Sequence, residues 1–132
     1  MTVRVFLVED MPQMHDLLTE LLAGLGDFAF AGAVRTEAEA RLWIEENPDG
    51  WDLSVIDLVL DQGTGMGVIP HARAEADRTG GNVVVFSDYA SDGIRQHCLN
   101  LGADAVFGKS EEMQGFMAYC ADLGGSAPSP AP

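Results

Sequence analysis

Five residues of this 132-residue chain have types and settings that suit one kind of chemistry: Glu9, Asp10, Asp57, Ser87 and Lys109. Each comes after a short apolar run: Glu9 and Asp10 after Val3 to Val8, Asp57 after Leu53 to Ile56, Ser87 after Val83 to Phe86, and Lys109 after Ala103 to Phe107. Alone, each has an ordinary explanation, because an acid at a strand end caps a helix or meets solvent and a loop lysine is solvated. Together, three carboxylates at one edge repel by roughly 4 kcal/mol per close pair at an effective dielectric of 20. Lys109 supplies one compensating charge. Carboxylate oxygens at a wet edge also suit a hard divalent ion, and Mg²⁺ binds through one or two carboxylates, waters and phosphate oxygens.

With such an ion held by Glu9 and Asp10, the Asp57 carboxylate can act as a nucleophile towards phosphorus. The cation and Lys109 then neutralise charge on the transferred oxygens. The Ser87 hydroxyl can donate to a phosphoryl oxygen once Asp57 is modified, turning a chemical event into movement of its loop. This is the logic of a switch, in which the chain modifies itself, rather than of a turnover enzyme.

The elements that must position these residues are legible. Phe28 to Val34 adds a fifth apolar run to the four above, and all five read as strands. Between them, Met14, Leu18, Leu21, Leu22 and Leu25 mark one face of a first helix, with Pro12 suited to its first turn. Thr36 and Glu39 form a capping-box pattern opening a second helix, which Asn47, Pro48, Asp49 and Gly50 stop. A third helix is expected from near Gly67 to Arg78; a fourth carries Ile94, Cys98 and Leu101 and ends by Gly102, and a fifth carries Phe116, Met117 and Cys120. Strands alternating with helices imply an α/β fold with a parallel sheet, right-handed crossovers and helices on both faces. In such sheets ligands gather at the carboxyl ends of the strands, where the five residues fall.

Composition narrows the class further. Length and apolar content fit one domain over residues 1–124, and the Ser/Ala/Pro-rich residues 125–132 read as a disordered tail. Seven basic against 21 acidic residues give a net charge of −14, which opposes direct contact with nucleic acid or an anionic membrane. No signal peptide or membrane-length apolar run is evident, so a soluble, cytoplasmic protein is expected. Cys98 and Cys120 read as reduced core residues. His15, His71 and His97 lack mutual metal spacing and read as solvated.

Several motifs together resemble the receiver domains of two-component response regulators, from Val3 to about Leu123. Val5-Phe6-Leu7-Val8-Glu9-Asp10 is similar to that family's first strand and acid pair. Ser54-Val55-Ile56-Asp57-Leu58 with Gly63-Thr64-Gly65 is similar to its phosphoacceptor strand and following loop. Val83 to Ser87 and Leu101-Gly102-Ala103-Asp104-Ala105 with Lys109 match the remaining pieces. The resemblance implies a doubly wound, flavodoxin-like, five-stranded parallel sheet in the order 2-1-3-4-5, the order for which a chemotaxis receiver is a standard example. It further implies that Asp57 takes a phosphoryl group from a histidine kinase or phosphotransfer protein. Asp10, Asp57 and the Val59 carbonyl would ligate Mg²⁺, with Glu9 acting through metal-bound water, and Ser87 and Lys109 would contact the phosphoryl group. An output protein or domain would read the change, and the fourth helix, fifth strand and fifth helix offer the face many members use to dimerise. No DNA-binding or enzymatic output domain follows, which fits a stand-alone receiver and an excised one alike.

Three departures stand out. Val106 occupies the position where many receivers carry a Tyr or Phe that turns inward, and Phe107, of opposite strand parity, is expected to pack in the core. Ser110 follows Lys109 where the family usually has Pro, so that loop is expected to differ. Asp88 and Tyr89 add an acid and a ring beside the pocket; Asp88 either repels the phosphoryl group or faces solvent. Val59 cannot orient a water by hydrogen bonding, which points to a long-lived phospho-Asp57. The alternatives are a degenerate receiver acting only as an interaction module, an aspartyl-nucleophile phosphohydrolase of the haloacid-dehalogenase type, and a flavodoxin-like binder. The phosphohydrolase needs a second Asp where Val59 stands, and the flavin binder needs a hydroxyl- or glycine-rich loop where acidic Glu9-Asp10-Met11-Pro12 lies.

Overall fold

The computed structural model of the protein describes residues 2–124, and the proposed tail 125–132 lies outside them. Strands and helices alternate as β1 (Val3–Val8), α1 (Pro12–Leu25), β2 (Phe28–Val34), α2 (Glu37–Glu46), β3 (Leu53–Ile56), α3 (Gly65–Thr79), β4 (Asn82–Ser87), α4 (Asp92–Leu101), β5 (Ala105–Gly108) and α5 (Met113–Leu123). The strands form one sheet in the order β2-β1-β3-β4-β5, with every pair parallel.

Residues alternate faces along each strand, so an apolar run buried on both sides divides between two cores. Phe6, Val8, Ile56, Val83, Val85 and Val106 face α2, α3 and α4, where Ile44, Ile69 and Cys98 meet them. Val5, Leu7, Val55, Val84 and Phe86 face α1 and α5, against Leu18, Leu22, Phe116 and Cys120. Both cysteines are free and buried, and burial pushes the Cys120 thiol up to about 12. No helix among the described residues is long and apolar enough to cross a membrane.

The local signals act as their chemistry requires. Pro12 opens α1, where a missing N–H is harmless. The Thr36 hydroxyl accepts from the Glu39 amide at 3.1 Å, while the Glu39 carboxylate accepts from the amide of Arg35, one residue before the cap. Three elements have bounds that differ from the sequence reading. Helix α3 starts at Gly65 rather than near Gly67, because the Thr64 side chain caps it by accepting from the Met66 amide. Strand β4 includes Ser87, which pairs with Gly108. Strand β5 starts at Ala105, because the Ala103 amide still bonds to Cys98 in the last turn of α4, and Asp104 is bound to Val83 through both its amide and its carboxylate.

Candidate functional site

The carboxyl ends of β1, β3, β4 and β5 bring the candidate residues to one edge. Glu9 continues the β1 ladder by donating its amide to Val34, and Asp57 does the same from β3 by donating to Val8 at 2.9 Å. Asp57 is thus fixed beside the β1 end, at the switch point where successive strands depart to opposite sides. The Lys109 amide donates to the Ser87 carbonyl at 3.1 Å, which places the lysine above β4.

From there the Lys109 side chain turns inward. Its Nζ donates to Glu9 Oε1 at 2.7 Å and to Asp57 Oδ2 at 3.1 Å, and its side chain is only 8% exposed. The other Glu9 oxygen accepts from the Met11 amide at 3.1 Å. Glu9, Asp10 and Asp57 each offer a carboxylate oxygen within 4.8 Å of the other two. At that spacing each pair of charges repels by about 3.5 kcal/mol at an effective dielectric of 20, so one ammonium does not neutralise three carboxylates.

The titration behaviour reflects this crowding. Burial pushes the Glu9 carboxyl above the usual carboxylate range, against the opposing pull of its hydrogen bond to Lys109. Burial alone would lower the Lys109 ammonium, but the bond to Glu9 and the charges of Asp57 and Glu9 outweigh it and hold Lys109 above its ordinary value. An all-oxygen, negatively charged cluster with a single resident cation has the donor chemistry of a hard divalent ion.

Ser87 is fully buried, and its hydroxyl accepts from the Tyr89 amide at 3.3 Å. Tyr89 itself is exposed. Val59 is 48% exposed; its amide lies 3.5 Å from Asp57 Oδ1, and it pairs with Thr64 in an isolated antiparallel bridge. Asp88 is exposed and accepts a hydrogen bond from the Ser110 hydroxyl at 2.9 Å, so two of the departures from the family pattern pair with each other. Val106 is buried in the core under α3 and α4. Phe107 packs on the opposite face, edge-on to Phe116 and Tyr119, as strand parity requires.

Some contributors carry no signature in the sequence. His15, read there as solvated, is half-buried, and its Nε2 lies 2.7 Å from the Glu9 carbonyl, so α1 supports the acid pair. Its position in the first turn of α1, close after the pair, is the only clue. Gly65 approaches the Asp57 backbone so closely that a Cβ there would lie 2.1 Å from the Asp57 carbonyl oxygen. Arg95 of α4 donates to the Val106 carbonyl and pairs with Glu112 at the start of α5. Glu112 also accepts from the Gly108 amide at 2.9 Å, and the bond from Arg95 holds its carboxyl below the usual range.

This doubly wound sheet with its acid cluster and buried lysine is that of a receiver domain, and the chain belongs to the response regulator receiver domain family, which its sequence matches over residues 5–120. Three solved structures show the same fold. The receiver domain of the response regulator NarL from Mycobacterium tuberculosis superposes with a TM-score of 0.77 at 19% identity, covering 94% of this chain and 97% of that one. The phosphorylated cyanobacterial phytochrome response regulator RcpA gives 0.75 at 22% identity over 100% and 98%. The CheX–CheY–BeF₃–Mg²⁺ complex from Borrelia burgdorferi gives 0.74 at 16% identity over 89% and 88%. At these identities the likeness concerns the fold.

Proposed function

We propose that this receiver accepts a phosphoryl group on Asp57 from a histidine kinase or phosphotransfer protein, in a Mg²⁺-dependent reaction, and passes the change to an output partner. The observation that carries the reading is Lys109 Nζ bridging Glu9 and Asp57, with a third carboxylate, Asp10, within reach. Asp10, Asp57 and the Val59 carbonyl would hold the cation, with Glu9 behind it through water. The cation would supply charge neutralisation at the phosphoryl oxygens.

An Asp57 oxygen attacks phosphorus as the bond from phosphorus to the donor imidazole nitrogen breaks. Lys109, already between the two acids, offsets the added negative charge. Ser87 then turns from the Tyr89 amide towards the phosphoryl oxygens. The product stays on the chain, so the outcome is an altered surface and not a released substrate.

A degenerate receiver that serves only as an interaction module is the second reading. It is favoured by the burial of Val106 and by Arg95 bonding its carbonyl, since no ring is present there to turn inward. Beryllofluoride with Mg²⁺ separates the two. A ligand at a hundredfold excess over its dissociation constant stabilises by about 2.7 kcal/mol, which a thermal melt resolves. The phospho-switch predicts stabilisation that needs Mg²⁺ and vanishes in Asp57→Asn. No response from either protein hands the site to the degenerate reading.

A further inference from the structure

The cation site is built partly by an element that contributes none of its ligands. Glu37, the first residue of α2, grips the segment between β3 and α3 at two points. Its amide donates to the Gln62 carbonyl at 3.1 Å, and its Oε1 accepts from the Thr64 amide at 2.9 Å. An ion pair between Arg35 and Asp61 at 3.0 Å ties the same segment one residue further back.

The loop is shaped around this carboxylate. A Cβ at Gly63, which has φ of +79°, would lie 2.7 Å from Glu37 Oε1, and one at Gly67 would lie 2.2 Å from Oε2. Two positions that flank Thr64 therefore leave open the space the carboxylate fills. Thr64 passes the restraint on: its hydroxyl donates to the Leu58 carbonyl at 3.1 Å, and its backbone pairs with Val59.

We infer that Glu37 is a positioning residue for the cation site, holding the β3–α3 loop, and with it the Val59 backbone, in the arrangement a divalent ion requires. This rests on the proposed reading of Asp10, Asp57 and the Val59 carbonyl, with Glu9 behind them, as that site. Without Glu37 the Thr64 amide turns to water, the loop samples more conformations, and the ion must order it on binding, which weakens affinity. Glu37 is not one of the proposed ligands.

The test is a Mg²⁺ titration of the full chain followed by amide NMR shifts, for wild type, Glu37→Ala, Glu37→Gln and Gly67→Ala, with thermal melts in EDTA to monitor folding. Glu37→Ala is expected to weaken Mg²⁺ binding about tenfold, as for groups that support metal ligands from behind. Glu37→Gln keeps an acceptor oxygen and should stay within about twofold. Gly67→Ala displaces the carboxylate while adding a better helix former, so affinity should drop with no loss of melting temperature.

Unchanged affinity in Glu37→Ala overturns the inference, and so does a Gln variant as weak as the Ala variant, which would assign the effect to charge alone. If Glu37→Ala does not fold, unchanged affinity in Gly67→Ala overturns it instead. A wild type that binds no Mg²⁺ removes the site reading and this inference together, whereas binding that is indifferent to Glu37 removes only the latter.

Discussion

Replacing Lys109 with Met keeps most of the aliphatic stem but removes the one cation between two buried carboxylates. At 2.7 and 3.1 Å the ammonium attracts Glu9 and Asp57; at an effective dielectric of 20 these attractions are worth about 6 and 5 kcal/mol. Much of this offsets the cost of burying the ammonium. The net loss on breaking such a pair is about 3–5 kcal/mol, because uncompensated charge stays behind. For a domain of this size that lowers the melting temperature by roughly 10–20 °C in EDTA.

Acid should relieve the defect. Glu9 is already raised by burial, and Lys109 is its main opposing influence. Once Lys109 is gone, Glu9 rises further above its unfolded value of about 4.3. A carboxyl raised in the folded state penalises folding above its unfolded pKa, and the penalty fades as pH falls towards that value. The gap between variant and wild type should therefore be widest near about pH 8 and narrow towards about pH 5. Mg²⁺ should also raise the variant's midpoint more than the wild type's. Circular-dichroism melts across that range, in EDTA and in Mg²⁺, test both effects. A variant melting within about 2 °C of wild type in EDTA near pH 8, or a gap that does not narrow in acid, would refute the charge argument.

Three further outcomes follow from individual residues. Gly65→Ala sets a Cβ against the Asp57 backbone carbonyl, where no flexible side chain can move aside, and should cost about 1–3 kcal/mol; urea denaturation should show a lower midpoint at unchanged slope. Val59→Asn introduces a hydrogen-bonding group at an exposed position two residues past Asp57 and should shorten the life of phospho-Asp57, while a wild-type half-life of only seconds would sink the idea that Val59 prolongs it. The Arg4 guanidinium bonded to Asp52 holds that carboxyl below its ordinary range. Its stabilisation is present above an unfolded Asp pKa of about 3.9 and lost as pH falls through the folded value. The melting difference between wild type and Asp52→Asn at about neutral pH should accordingly begin to narrow as pH falls below about 3.9.

The frame was legible because both kinds of period are strong. Val5 and Leu7 on one face of β1, with Phe6 and Val8 on the other, make a short apolar run that suits a strand buried on both sides. Glu9, Asp10, Asp57 and Lys109 were legible as a group because each falls at the end of such a run. The supports were not, since they depend on side chains meeting across large sequence separations. Nothing local marks Glu37 as the partner of Thr64, 27 residues on. His15 could not be told from a solvated histidine without knowing how α1 sits over Glu9. The start of α3 is hard to see in the sequence because Thr64 sits in the Gly63-Thr64-Gly65 loop after β3, and only the folded loop makes it a cap.

Arg95 gives the α4–β5–α5 face a mechanical character of its own. One rigid, planar guanidinium is bonded at once to a β5 carbonyl and to Glu112 at the head of α5, while its Cα rides on α4. A flat fork of this kind does not stretch, and a lysine's single ammonium would not replace it. A displacement of α4 against β5 and α5 must therefore be absorbed by the Arg95 stem or break one of these bonds. Glu112 also grips the amide of Gly108, the residue before Lys109. A chain of charged contacts thus runs from α4 through Arg95 and Glu112 to the residue beside the site's lysine.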